Sequence, residues 1–256
     1  MPNIVNLASG SRGNATVIST NDVGLLIDAG ISACEIDKRL RQAGQSVSAV
    51  LITHEHIDHV RGLAAFCRDH QIPAYVHQKV APIIVDKCGV SPDLITEFGD
   101  TEFVVGPYSV TPFRIPHDTV YPVGFVVRDN TGTCGIATDL GQVTRGIAMN
   151  LADCDTLLIE SNHDVNMLLS GKYPPHLKQR IRSNLGHLSN EDCAELVLHL
   201  VGKKLQRVIL GHISENNNSP RLARLATEKI LAMSGIEVGK DVRLAVASPD
   251  TITLMK

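Results

Sequence analysis

Short apolar runs alternate along this chain with longer stretches in which apolar residues recur at helical spacing. Residues 4–7, 15–19 and 23–27 read as strands. The link Ser9-Gly10-Ser11-Arg12-Gly13-Asn14 reads as a turn, with an anion-holding nest of backbone N–H groups as the alternative. Ser32 and Glu35 form a capping box that opens a helix with Ile36, Leu40 and Ala43 on one face. A buried strand at 50–53 precedes a helix from 60 to about 70. A short strand at 74–77 precedes a surface helix that stops near Cys88-Gly89. Several β-like runs lie between 94 and 127, including 108–115 and 121–127, interrupted by Pro116-His117-Asp118. Strands at 134–138, 155–159 and 207–210 run into Asp139, Glu160 and Gly211-His212. A second capping box, Ser189 with Asp192, opens a helix whose Cys193, Leu196, Val197 and Leu200 share a face. Ser219-Pro220 opens another, carrying Leu222, Leu225 and Ile230. Residues 243–247 and 251–255 close the chain as strands. Both halves share a strand-then-helix rhythm, with no linker or repeat. The pattern predicts a single α/β domain over 1–256, built of two similar lobes.

The strand at 50–53 turns abruptly polar, into His54-Glu55-His56-Ile57-Asp58-His59. In extended backbone His54 and His56 share a face and can reach one ion; Asp58 and His59 can serve a second. Imidazole and carboxylate suit Zn²⁺, Fe²⁺ or Mn²⁺, and the run holds no thiolate to select a softer ion. Asp139, Glu160 and His212 also follow apolar runs directly, and His117 follows one across Pro116. Ligand sites in α/β folds gather outside strand carboxyl ends, so these residues need only one shared edge to converge.

Composition narrows the class. An apolar fraction of 43% and a mean hydropathy of +0.05 fit an ordinary globular chain of 256 residues. No apolar stretch approaches a membrane span, and the first residues lack a signal-peptide pattern. The six cysteines include no C-x-x-C pair and read as reduced thiols in a cytoplasmic protein. A net charge of −3 carries no overall nucleic-acid signature. The charge is uneven, however: residues 1–164 hold 11 Lys+Arg against 19 Asp+Glu, and residues 165–256 hold 13 against 8. Lys172, Lys178, Arg180 and Arg182 lie in a stretch without acidic residues, which reads as a phosphate patch or as a solvated face.

The set His54-x-His56-x-Asp58-His59, His117, Asp139 and His212 resembles the ligand set of the metallo-β-lactamase superfamily. The resemblance implies an αββα sandwich, two β-sheets flanked by helices, with a two-metal site at one edge. By position, His54, His56 and His117 would hold one ion. Asp58, His59 and His212 would hold the other, with Asp139 bridging. The segments at 9–14, 26–30, 160–164 (Glu-Ser-Asn-His-Asp), 186–190 (Gly-His-Leu-Ser-Asn) and 211–217 resemble the YycJ/WalJ-type group, which implies a 5′-to-3′ DNA exonuclease. Residues 186–190 and 211–214 also resemble the tRNase Z family, where the His and Glu at the places of His187 and Glu160 help proton transfer. The long Gly/Pro-rich arm of tRNase Z and the inserted domain of the RNase J group have no counterpart here.

The expected protein is therefore a metal-dependent phosphodiesterase or nuclease, acting on DNA rather than RNA and using a metal-bridging hydroxide. It would use two divalent ions, Zn or Mn with Fe as a further option, and no membrane partner. Asp58 would orient or deprotonate the nucleophile, and His187, held by Glu160, would protonate the leaving oxygen. Asp28 would support a ligand histidine. Arg12, Asn14 and the basic run would hold phosphates; His163 is read as a substrate contact, a support for a ligand or a turn residue. The rivals are a small-molecule ester, thioester or lactone hydrolase, a di-iron oxygen reductase, and a non-catalytic nucleic-acid binder. His56 stands where the oxygen reductases carry a carboxylate.

Overall fold

The structure, a computed structural model, describes residues 2–20 and 23–255. Continuous apolar runs, rather than alternating ones, mark strands covered on both faces. The strand containing Leu25, Leu26 and Ile27 is such a case. Leu25 and Ile27 face a second sheet, while Leu26 faces helices.

Six strands come first: β1 (Asn3–Ala8), β2 (Ala15–Thr20), β3 (Val23–Ile27), β4 (Val47–Leu51), β5 (Ala74–His77) and β6 (Ile95–Phe98). A second set follows: β7 (Phe103–Val105), β8 (Tyr108–Arg114), β9 (Val123–Arg128), β10 (Thr133–Ala137), β11 (Thr156–Glu160), β12 (Arg207–Gly211) and β13 (Arg243–Val246). The last strand, β14 (Thr253–Met255), returns to the first sheet beside β1. Each sheet has seven strands, ordered β14-β1-β2-β3-β4-β5-β6 and β13-β12-β11-β10-β9-β8-β7. The helices are α1 (Ala33–Ala43), α2 (Ile57–Val60), α3 (Leu63–His70), α4 (Ala81–Cys88), α5 (Arg145–Leu151), α6 (Val165–Ser170), α7 (Pro175–Ile181), α8 (Asn190–Leu200) and α9 (Pro220–Met233).

Three apolar layers hold these elements together. Ile36, Leu40, Phe66 and Ile84 of α1, α3 and α4 cover Val5, Leu26 and Val50 on one outer face. Ile147, Val197 and Leu231 of α5, α8 and α9 cover Leu157, Val208 and Leu210 on the other. Ile18, Leu25, Phe125, Ile136, Leu158 and Ile209 fill the space between the sheets. This is the αββα sandwich that the resemblance implied.

In each sheet one half is antiparallel and the other parallel. The parallel strands are β3 to β6 and β10 to β13. Asp28, the 52–59 segment, Asp139, Glu160 and His212 all lie at or just past carboxyl ends of parallel strands. The predicted caps form: Ser32, Ser189 and Ser219 accept from the backbone N–H groups of Glu35, Asp192 and Leu222. The six cysteines are unpaired, and no helix of the described residues is long and apolar enough to cross a membrane.

Three expectations are corrected. The strand read at 50–53 runs from Val47 to Leu51, because the Thr53 backbone N–H turns to donate to Asp28 Oδ1 at 2.9 Å. The helix read from 60 to 70 is two helices parted at Gly62, whose N–H donates to Ala29 O at 2.8 Å. In α9 the buried stripe is Ala223, Thr227 and Leu231, while Leu225 is exposed. The hydroxyl of Thr227 returns to Ala223 O at 3.1 Å, so a polar residue fits the buried side of this helix. Helices α5, α6 and α7, of six or seven residues each, are too short for a helical period to show in the sequence.

Backbone-to-backbone contact draws the first loops together. Gly30 N–H donates to Asn14 O, and Asn14 N–H to Asp58 O, each at 2.8 Å. A Cβ at Gly30 would collide with the Asp58 carbonyl and the Asn14 nitrogen, neither of which a side-chain rotation can move. Gly30→Ala is therefore expected to destabilise the fold by about 3 kcal/mol. Gly44→Ala meets left-handed backbone (φ +63°) but open space, and should cost only about 1 kcal/mol. Denaturant titration of both variants checks this; equal losses would contradict it.

Candidate active site

The four positive-φ residues other than glycine, among those described, are Asp28, Gln71, Asp139 and His212. Gln71 ends a helix. The other three end β3, β10 and β12, and each turns its side chain into one cluster. Left-handed backbone costs a β-carbon residue free energy, and such strain gathers at functional sites.

Thr53, which the sequence reading passed over, organises the near side. Its hydroxyl lies 2.9 Å from Asp28 Oδ2, 3.0 Å from His54 Nδ1 and 3.2 Å from His59 Nδ1. His59 Nδ1 lies 2.7 Å from Asp28 Oδ2. On the far side, Glu160 Oε1 accepts from both His212 Nδ1 and His187 Nδ1, each at 2.7 Å. Its Oε2 accepts from the backbone N–H groups of Leu140 and Leu188 at 2.8 and 3.2 Å. His117 Nδ1 faces Gly186 O at 3.2 Å.

These bonds set the tautomers. With Nδ1 donating outward, His54, His59, His117 and His212 each present Nε2 to the interior of the cluster. His54 Nε2 and His212 Nε2 are buried there with no hydrogen-bond partner. His117 Nε2 lies 3.3 Å from His56 Nδ1, and His59 Nε2 lies 3.1 Å from Asp139 Oδ2. Asp58 Oδ2 stands 3.6 Å from both His59 Nε2 and His212 Nε2.

Ligand-type atoms gather within 4.8 Å of one another in four overlapping groups. These are His54/His56/His117, Asp58/His59/His212, His54/His59/Asp139 and Asp139/Glu160/His187/His212. The residues expected as ligands thus converge, and Asp139 adjoins both sides. Orphaned buried imidazole nitrogens beside carboxylates fit a divalent cation.

Electrostatics agree with that fit. Burial pushes His59 and His212 down, but neighbouring carboxylates outweigh it and raise both well above the ordinary imidazole value. Asp28 and Asp139 act on His59; Asp139, Asp58 and Glu160 act on His212. Protons therefore stand where a cation would bind, and metal binding would release them. Burial alone would raise Glu160, yet His187 and His212 hold its carboxyl at about 2. His187 is pushed down by burial and then raised, on balance, by Glu160.

The expected substrate residues are placed differently from one another. Arg12 is exposed but paired with Glu215 and Asp250. Asn14 is buried: its Oδ1 accepts from Gly10 N–H at 3.0 Å, and its Nδ2 lies 3.1 Å from His59 Nε2. The Gly10–Gly13 segment closes as a turn, Gly13 N–H to Gly10 O at 2.9 Å. His163 is buried beside His187, lining with it and Arg182 a cavity of about 310 Å³. Burial lowers its pKa to about 4, so His163 is neutral.

Asparagines that the sequence reading gave no role tie the far loops together. Asn218 Nδ2 donates to Ser161 O, Asn162 O and Asn190 Oδ1 at 2.8–3.0 Å, and Asn162 Nδ2 donates to His212 O at 2.9 Å. All three lie in the segments 160–164, 186–190 and 211–217 or one residue beyond. The signal was therefore present but unassigned.

Asp28→Ala leaves His59 Nδ1 without its acceptor and should weaken metal binding 10–100-fold. Competition against a chromogenic chelator measures this, with surface Asp37→Ala as the control. Unchanged affinity in Asp28→Ala would contradict the geometry.

The family described as "Beta-lactamase superfamily domain" matches residues 24–213. The chain is 36% identical to the exodeoxyribonuclease WalJ of Streptococcus pneumoniae, over 96% of this chain and 94% of that one. It is 32% identical to the exodeoxyribonuclease YycJ of Bacillus anthracis, over 95% and 94%. Among solved structures, Zn²⁺-bound PqqB from Methylobacterium extorquens superposes with a TM-score of 0.71 at 18% identity, covering 98% and 99% of the two chains.

Proposed function

Because this chain belongs to the beta-lactamase superfamily, we propose that it is a metal-dependent phosphodiesterase acting on DNA, an exonuclease like the relatives named above. The observation that carries the reading is the Glu160–His187 pair beside the histidine–aspartate cluster, at 2.7 Å. A thiolate leaving a thioester departs without a proton, which gives that pair no task; an ester or lactone expels an alkoxide as a phosphodiester does, and between these the exodeoxyribonuclease relatives favour the phosphodiester. A phosphodiester has a leaving alkoxide that needs a proton.

Two divalent ions, Zn or Mn with Fe as a further option, suit the donor set. His54, His56 and His117 would hold one. Asp58, His59 and His212 would hold the other, with Asp139 offering oxygens to both. When bound, such ions supply Lewis acidity, lowering the pKa of a water and neutralising charge that grows on a phosphoryl group.

The chain's own groups do the rest. Asp58 has its carboxyl held low, since the neighbouring His59 and His212 outweigh burial, and accepts or orients the proton of the attacking water. His187 donates through Nδ1 to Glu160, which leaves Nε2 to carry a proton towards the leaving oxygen. Arg182, exposed beside His163 and His187, faces the same cavity and offers its charge to a backbone phosphate. Arg12 and Asn14 serve the loops instead. The apolar layer shared by both sheets supports reading the chain as one domain of two lobes. A DNA substrate accords with the cytoplasmic location read from the sequence.

End-labelled single-stranded DNA, incubated with metal-reconstituted protein, should be shortened from one end and protected by EDTA. His187→Ala should keep its metal content and lose about 10²–10⁴ in kcat. Full activity in that variant, or turnover of a thioester or lactone with none of DNA, would overturn the reading.

A further inference from the structure

Beyond the histidine cluster, Tyr121 gathers a second group of side chains that the hydrolysis above does not use. The Tyr121 ring stacks on His77, with centroids 4.0 Å apart and planes 17° apart. The Arg114 guanidinium carbon lies 3.6 Å from the Tyr121 centroid, and Lys79 Nζ lies 4.1 Å from it. The Tyr121 hydroxyl donates to Asp100 Oδ1 at 2.6 Å, which fixes the ring's orientation. Burial holds His77 below the ordinary imidazole value, so the ring beneath Tyr121 is neutral and does not repel the two cations.

Both cations are exposed. Among the described residues neither is ion-paired, whereas Arg12 and Arg180 are tied to carboxylates. A long side chain that solvent would leave free is instead held over an aromatic face by cation–π attraction. One face of Tyr121 rests on His77 and the cations cover the ring, so no face is left for a nucleobase to stack on.

The position relative to the cluster is set by the chain. Val120 N–H donates to Glu55 Oε1 at 2.9 Å, next to His54 and His56. His117 lies four residues before Tyr121. Fully extended, that segment spans at most about 14 Å. A stacked strand presents a phosphate about every 3.4 Å, so the backbone that carries the Tyr121 platform lies within roughly four phosphate spacings of His117.

We propose that Lys79 and Arg114, seated on Tyr121, form a clamp for backbone phosphates of the DNA strand, a few nucleotides from the bond that is cut. The clamp rests on the nuclease reading above and adds to it a second, sequence-independent grip. Its residues lie outside the basic run at 172–182, whose Arg180 is held by Asp118, and it reads the backbone rather than the bases.

The test uses metal-reconstituted protein and fluorescein-labelled, phosphorothioate-linked oligo(dT) in an anisotropy salt series. Lys79→Gln/Arg114→Gln should bind about tenfold more weakly at moderate salt. Its slope of log affinity against log salt should shrink by about 1.4, for two single-strand phosphates released. Tyr121→Leu keeps both charges but removes their platform, and should lose affinity with little change in slope. Arg114→Lys should retain most of the binding. With unmodified oligo(dT), the ratio of kcat/KM on the oligomer to kcat/KM on bis(p-nitrophenyl) phosphate should fall about tenfold in the double variant. Unchanged slope and ratio, while the wild type cuts oligo(dT), overturn the clamp and leave the nuclease reading intact. A wild type that neither binds nor cuts oligo(dT) overturns both.

Discussion

Two buried carboxylates decide which way two imidazoles face. Asp28, past the end of β3, accepts a hydrogen bond from His59 Nδ1–H; Glu160, ending β11, accepts one from His212 Nδ1–H. Each grip leaves Nε2 turned inward, where Asp58 lies between the two rings. A buried carboxylate without partners costs several kcal/mol, so both must be surrounded by donors. They are: Thr53 supplies Asp28, and Leu140, Leu188 and His187 complete Glu160. The candidate site is thus held by groups that would not themselves touch an ion.

The sandwich makes these grips meet. Each sheet turns from antiparallel to parallel, and the carboxyl ends of the parallel strands carry the reactive side chains. Asp28 and Asp139 occupy corresponding places after β3 and β10, both in left-handed backbone. Each is followed two residues later by a glycine, Gly30 and Gly141, where a Cβ would strike neighbouring backbone. The two halves therefore repeat one device: a strained aspartate, then a glycine that lets another loop approach. At Asp28 the strain is sustained by hydrogen bonds from Thr53 and His59, and Asp139 faces His59 Nε2 at 3.1 Å.

Much of this was legible in the residues. Runs such as Val50-Leu51-Ile52 announce strands covered on both faces, and the histidine run after them announces its own chemistry. The convergence of His117, Asp139 and His212 could be expected because each follows an apolar run. What stayed hidden depends on long-range partners. Nothing local says that Arg12 meets Glu215 and Asp250, more than two hundred residues away. Asn14 looks like a turn residue and proves to be a buried brace against His59. The inner face of α9 was missed because small and polar residues, Ala223 and Thr227, line it while Leu225 points outward. Thr53 was missed because a threonine at a strand end is usually unremarked, and its partners come from two other segments.

The account turns on cations lying between the two grips. Anomalous diffraction from a crystal grown with Mn²⁺ or Zn²⁺, recorded above and below the metal edge, tests this most directly. Two peaks are predicted, one against His54, His56 and His117 and the other against Asp58, His59 and His212, with Asp139 reaching both. An ordered cluster with no peak among these side chains, or with the metal bound only elsewhere, would contradict it.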